Sequence, residues 1–349
     1  MNQQFNVREG FRQQAVPCDA LGSPFTARLC NLMAERMGVE NPVGDIVLNW
    51  PGDSGGTGDA LALRVCGALH ALVIEGLCLS LAKIYPPNHQ NISDDDLWRV
   101  INDAFVEHAD FVLDRLKSAP QTNEVRRASI LLPGFSEIAR LTGLPMVLSE
   151  LGASAGLNLN WDRFHFEIAG QRWGDKNSSV RLSPEWKGGT PKLQPVEIVA
   201  RAGCDLTPLN VSDDNMQMRL LSYIWPDQSE RIARTKAAID IAVANGTQVD
   251  QSDAIDWLDM RLKGSHEGSV HVVYHTIAWQ YFPEDVQKRG VELMQNAGAK
   301  ASANTPIAWL RFEMDGKSPG AALSLTLWPS GEEYYLARAD FHGRWIDWQ

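Results

Sequence analysis

The stretch Val147-Leu148-Ser149-Glu150-Leu151-Gly152-Ala153-Ser154-Ala155-Gly156-Leu157 constrains the fold more than any other part of the chain. An apolar run ends in an acid. Small residues then stand at every second position: Gly152, Ser154 and Gly156. The pattern reads as a strand that stops in a tight turn, where glycine lets the backbone approach a ligand closely. In a doubly wound sheet, the turn after such a strand receives nucleotide-type ligands.

The rest of the chain agrees with an α/β reading. Residues 1–143 read as a helical cap domain. Apolar spacing of helical period runs over Phe25 to Met37 and over Asp59 to Ile84, and Tyr85-Pro86-Pro87 stops the second run. Ser93-Asp94-Asp95-Asp96 is an N-cap cluster opening a helix toward Leu116. Gln121 to Arg140 predicts one or two further helices, with a break at Pro133-Gly134.

From Leu144-Pro145 onward, β-rich runs alternate with helical ones, which implies a mostly parallel sheet covered by helices. The expected strands are Met146 to Leu151, Val196 to Arg201, Thr247 to Val249, Val270 to Tyr274 and Ile307 to Phe312. Ala322 to Leu327 and Tyr334 to Ala339 then form an antiparallel hairpin turned at Pro329-Ser330-Gly331. The expected helices are Ser212 to Ile224, Ser229 to Ala244, Ala254 to Leu262 and Pro283 to Ala297. Residues 144–349 therefore read as one Rossmann-like domain with an insertion at about 161–195.

Composition bears on partners. Thirty-two basic against 43 acidic residues give a net charge of −11, which repels a phosphate backbone and argues against nucleic acid. The five cysteines are odd in number and form no C-x-x-C pair, so neither a disulfide framework nor a zinc ribbon is expected. No apolar leader follows Arg8, Glu9 and Arg12, and a cytoplasmic location is expected. Val65 to Ala82 is nearly all apolar but carries His70 and Glu75, so it reads as a buried helix and not a membrane span.

Five strands with crossovers and a terminal hairpin resemble the sheet of class I methyltransferases. Glu150, Gly152 and Gly156 follow the acid-x-G-x-G-x-G pattern of that group, with Ser154 in place of one glycine. The resemblance implies an S-adenosylmethionine site built on Glu150, Gly152, Ala153, Ser154, Gly156 and Asn158. Asp205, ending the second strand, would accept from the ribose hydroxyls, since a carboxylate offers two acceptor oxygens. Asp253 and Ala254, after the third strand, would meet the adenine. Asp253 also reads simply as the N-cap of the helix that follows it. At the end of the fourth strand, Tyr274 and His275 are the candidate catalytic residues, and a histidine titrating near neutrality suits proton removal from an acceptor.

Asn123, Glu124 and Arg127 form a polar patch before the sheet, and Arg64 lies within an apolar helix. These four are candidate substrate-binding groups, because charges placed among apolar residues must find partners. A small-molecule substrate is expected from the acidic balance and the helical cap. The dinucleotide fingerprint G-x-G-x-x-G fails at Ser154 and Leu157, which disfavours an NAD-dependent oxidoreductase. A binding or regulatory module that kept the fold and lost the chemistry is the alternative, favoured by Ser154 and by the absence of an N/D-P-P-Y stretch after the fourth strand.

Over almost its whole length the chain also resembles a bacterial domain-of-unknown-function family, serial number two-three-three-two. The resemblance is carried by Phe11 to Pro24, Leu63 to Gly76, Gln121 to Arg127, Glu150 to Phe164, Arg201 to Pro208, Trp225 to Arg231 and His342-Gly343. It implies no activity. It agrees with a similarity of the C-terminal part to S-adenosylmethionine-binding folds.

Overall fold

A computed structural model describes residues 3–88 and 91–349. The chain divides into two units, Met1–Thr122 with Asp213–Ala233, and Asn123–Ser212 with Arg234–Gln349. The boundary expected at 143 therefore lies earlier, at 122, and a later segment returns to the helical unit.

The helical unit contains α1 (Gln3–Ala20), α2 (Pro24–Arg36), α3 (Pro42–Leu48), α4 (Leu61–Ile74), α5 (Leu79–Ile84), α6 (Asp94–Glu107) and α7 (Ala109–Leu116). Ser93 caps α6 as its sequence predicts, its hydroxyl accepting from the Asp96 N–H at 3.1 Å. The single helix expected over Asp59 to Ile84 is instead two, separated where Gly76 takes a φ of +70° that a side-chain-bearing residue resists. The returning segment is explained by packing. Gly67 on α4 leaves room for the Tyr223 ring, which a Cβ there would meet at 2.7 Å. His70 Nδ1 lies 3.2 Å from the Ser222 carbonyl oxygen. Arg64 is buried and donates to the carbonyls of Asp59 (2.6 Å) and Leu116 (2.8 Å), both within this unit. Glu75 pairs with Arg115, again within it. Arg64 and Glu75 thus find partners within the helical unit.

The sheet unit opens with α8 (Ala128–Thr142). Helix α8 runs unbroken through Pro133, contrary to the expected break, and Gly134 serves close packing instead, since a Cβ there would meet Leu310 Cδ1 at 2.8 Å. Its strands are β1 (Met146–Leu151), β2 (His165–Ile168), β3 (Gln171–Gly174), β4 (Arg181–Leu182), β5 (Glu185–Gly188), β6 (Ile198–Asp205), β7 (Asp250–Gln251), β8 (Val270–Thr276), β9 (Ile307–Glu313), β10 (Ala321–Trp328), β11 (Glu332–Ala339) and β12 (Trp345–Trp348). Nine of them form one sheet in the order β5-β12-β11-β10-β9-β8-β1-β6-β7. The run from β9 to β7 is parallel, and β9 to β12 is an antiparallel meander. Strands β2, β3 and β4 form a separate small sheet, which is what the expected insertion at 161–195 contains.

Helices α9 (Asp214–Ser222), α10 (Ser229–Ala244), α11 (Ala254–Leu262) and α12 (Glu284–Gly298) all match their expected spans within two residues at each end. Strand order reverses between β1 and β8, so the parallel part has a switch point at the C-terminal end of β1. One feature departs from ordinary doubly wound sheets. The crossover from β1 to β6 holds no α-helix. It holds a 3-10 segment, Leu157–Arg163, and the small sheet. Asn158, Asn160 and Asp162 favour turns over helix, which accounts for the substitution.

Candidate functional site

The bend after β1 is shaped by three positive φ angles, at Gly152 (+69°), Ser154 (+55°) and Gly156 (+70°). At Ser154 this conformation is sparsely populated for a residue with a Cβ and needs support. Asp205, at the tip of β6, supplies it, accepting from the Ser154 N–H at 2.9 Å and from the Thr207 N–H at 3.0 Å. Asn123 Oδ1 accepts from the Leu157 N–H at 2.8 Å, and the Glu124 carbonyl accepts from Asn158 Nδ2 at 3.1 Å. Arg127 donates to the carbonyls of Thr276 and Phe341, both at 3.0 Å. The polar patch at 123–127 therefore braces the bend and the end of β8. Arg64 belongs to the other unit, with the partners given above.

Close packing continues around the glycines. A Cβ at Gly152 would meet that of Ala278 at 2.7 Å, and one at Gly156 would meet Val249 and Thr247 within 3 Å. Ala153 is fully buried, and its N–H is held by the Cys204 carbonyl. Two buried polar atoms of the bend, Ser154 Oγ and Asn158 Oδ1, have no hydrogen-bond partner among the described residues. Buried polar atoms are normally satisfied, so these two are exceptions within the bend.

Beneath the bend, Glu150 is buried and takes the Tyr274 hydroxyl as donor to Oε2 at 3.2 Å. Burial pushes its carboxyl up to about 8; the Tyr274 bond and the Arg127 charge oppose the rise, and Asp205 adds to it. The Tyr274 phenol is likewise driven up, by its burial and the nearby Glu150. Beside them, the tips of β6 and β7 are tied together. The Ser252 N–H donates to the Asp205 carbonyl at 3.0 Å, and Gln251 Nε2 donates to the Leu206 carbonyl at 3.2 Å. Asp253 Oδ1 caps α11, accepting from the N–H groups of Ile255 (2.9 Å) and Asp256 (3.0 Å), while Ala254 is buried behind it. Leu206, next to Asp205, is 64% exposed.

His275 lies on the other side of β8 from Tyr274. Its Nδ1 is 2.7 Å from Glu313 Oε1, and its Nε2 accepts from the Trp309 indole N–H at 3.0 Å. An indole only donates, so Nε2 is the acceptor and the ring proton sits on Nδ1, donated to Glu313. Neither nitrogen can take a proton from a substrate without giving up a bond. Glu313 and Trp309 were not anticipated from the sequence, because nothing in a strand's local pattern reveals which cross-strand neighbour a side chain meets. Nor was a buried group near the opposite ends of the strands, where Ser149 Oγ meets His271 Nε2 at 2.8 Å and accepts from Arg261 Nε at 3.0 Å. Among the described residues no cluster of three or more His, Cys, Asp or Glu could hold a metal ion. No helix among them is long and apolar enough to cross a membrane.

No curated protein and no solved structure matches the chain. A family model described as an uncharacterised protein conserved in bacteria (DUF2332) matches residues 8–348. The chain belongs to this bacterial family.

Proposed function

We propose that the sheet unit binds an adenosyl compound of the S-adenosylmethionine class at the tips of β1, β6 and β7, and that ligand binding, without a resident general base, is its function. The observation that carries the reading is the contact between the bend and the second-strand acid, Ser154 N–H to Asp205 Oδ2. It joins the glycine-lined turn to a carboxylate whose oxygens each keep a lone pair for ribose hydroxyls. Asp253 Oδ2 is available to an adenine amino group, and the exposed Leu206 offers an apolar face for the base. Ser154 Oγ and Asn158 Oδ1 supply further polar contacts within the bend. A bound sulfonium would bring an electrophilic methyl group. The protein would supply position only, because the Tyr274 hydroxyl is committed to a Glu150 that holds its own proton at neutral pH, and both His275 nitrogens are bonded. Any transfer is therefore restricted to acceptors that arrive with a free lone pair.

Thermal-shift titration with S-adenosylmethionine and S-adenosylhomocysteine tests the reading. A saturable rise in melting temperature is expected for the native chain. Leu206→Asp should abolish it without altering the unliganded melting temperature, since Leu206 is exposed. No shift at millimolar ligand, or an undiminished shift in the variant, would remove the proposal.

A further inference from the structure

Strand β9 presents different chemistry on its two faces. Leu310 and Phe312 point one way and are fully buried, Leu310 against Gly134 of α8. Trp309, Arg311 and Glu313 alternate with them and face the other way. There they line a cavity of about 550 Å³, shared with His275 and Trp279 and edged by Tyr335. All of these residues belong to the sheet unit.

The cavity has rigid aromatic walls. Trp279 stacks on His275 at 4.8 Å between centroids and meets Trp309 edge-on at 5.5 Å. The turn that sets Trp279 there is strained. Ile277 has a φ of +49°, an outlier for a β-branched residue. Glu313 Oε1 pins that turn, accepting from the N–H groups of Ala278 (3.0 Å) and Trp279 (3.2 Å) as well as from His275. Strain held in place by so many bonds points to a function for the arrangement.

Two polar atoms of this face are left over. Glu313 Oε2 is buried without a partner, although three donors crowd Oε1. Arg311 Nε is also buried without a partner, although its guanidinium lies 4.3 Å over the Trp309 ring and its Nη2 reaches Thr326 Oγ1 at 2.9 Å. Neighbouring charges reach neither of these two atoms by a hydrogen bond. Asp315 is taken up by Arg338, and the exposed Glu333 pairs with Arg311 at Nη2, at 3.9 Å, and not at Nε. One strand face thus offers an orphan acceptor and an orphan donor two residues apart, beside aromatic rings.

We propose that this cavity binds a zwitterionic α-amino acid with an apolar side chain. The ammonium would donate to Glu313 Oε2, the carboxylate would accept from Arg311, and the side chain would lie among Trp279, Trp309 and Tyr335. A ligand with only one of the two charges leaves the other protein group buried and unpaired, which is costly. The inference stands apart from the reading of the strand tips.

Calorimetric titration of the full chain with L-phenylalanine tests it, with phenethylammonium and 3-phenylpropanoate as probes lacking one charge each. Phenylalanine should bind, and each probe should bind at least tenfold more weakly. Glu313→Gln should erase the preference for phenylalanine over 3-phenylpropanoate. Arg311→Gln should erase that over phenethylammonium. Tyr335→Ala, at an exposed position that leaves folding intact, should weaken all three together. Absence of phenylalanine binding to the native chain would overturn the proposal, as would equal binding of either singly charged probe.

Discussion

Two carboxyl groups on strands flanking β8 meet opposite circumstances. Glu150 on β1 and Glu313 on β9 each bond to a residue of β8, and those residues, Tyr274 and His275, are consecutive and so face opposite sides of the sheet. Glu150 is driven by burial toward its neutral form, up to about 8, and its one phenolic donor only partly opposes this. Glu313 gathers a ring N–H and two backbone N–H groups on one oxygen. The difference teaches that a strand-end acid takes its role from its burial and from the donors its neighbours bring. Here one acid is a protonated prop beneath a turn, and the other is the hub of a polar and aromatic cluster.

The sharpest way to break this contrast is to remove each acid in turn. Glu313→Ala strands three donors in a largely closed site, and a loss of about 3 kcal/mol or more in unfolding free energy is expected from urea titration. Glu150→Gln keeps an acceptor for Tyr274 and should cost far less at pH 7. Equal losses would contradict the assignment of roles.

The next effect is one of pH. Glu150 binds its proton more tightly folded than unfolded, so the native state holds the extra proton between about pH 4.5 and 8. Stability must therefore fall as pH rises through that window, with a slope of up to about 1.4 kcal/mol per pH unit from this group. Glu150→Gln should flatten the decline in melting temperature over the same range. His271 acts in the opposite sense. Burial, with His266 and Arg261 nearby, lowers it to about 3, so the unfolded chain takes up a proton that the folded ring refuses. Stability should fall as pH drops from 6.5 toward 3, and His271→Gln should make that acid limb shallower. An unchanged limb would place the acid sensitivity elsewhere.

The smallest expected effect is on folding at Leu206. Leu206→Asp should change stability by no more than about 0.5 kcal/mol, because the side chain is mostly in water. A larger loss would mean that Leu206 supports the fold and is not held out for a ligand.

Much of the sheet was legible in the sequence because its signals are local. Strand β1 is found over Met146 to Leu151 as its apolar run predicts, α10 and α11 keep their expected spans, and Asp253 caps the start of α11. What was not legible depends on distant packing. Pro133 sits inside a helix because α8 is held against β9, where Gly134 meets Leu310. The return of 213–233 to the helical unit depends on Tyr223 finding Gly67, far apart in sequence. Strands β2 to β5 and β12 are short and carry no clear alternation, so the insertion could be delimited but not resolved into strands. At the candidate site, Glu150, Asp205 and the positive-φ turn were visible as an acid, an acid and a glycine pattern. The bracing role of Asn123 and the acid that holds His275 were not, because both join residues far apart in sequence.

Hydrogen exchange of the full chain with and without S-adenosylmethionine tests the central claim most directly. Binding at the strand tips should slow exchange at the amides of the 152–157 bend and of 205–207 together, and leave β9 to β11 unchanged. Unaltered exchange at the bend under saturating ligand, or protection confined to the Trp279 and Glu313 cluster, would contradict it.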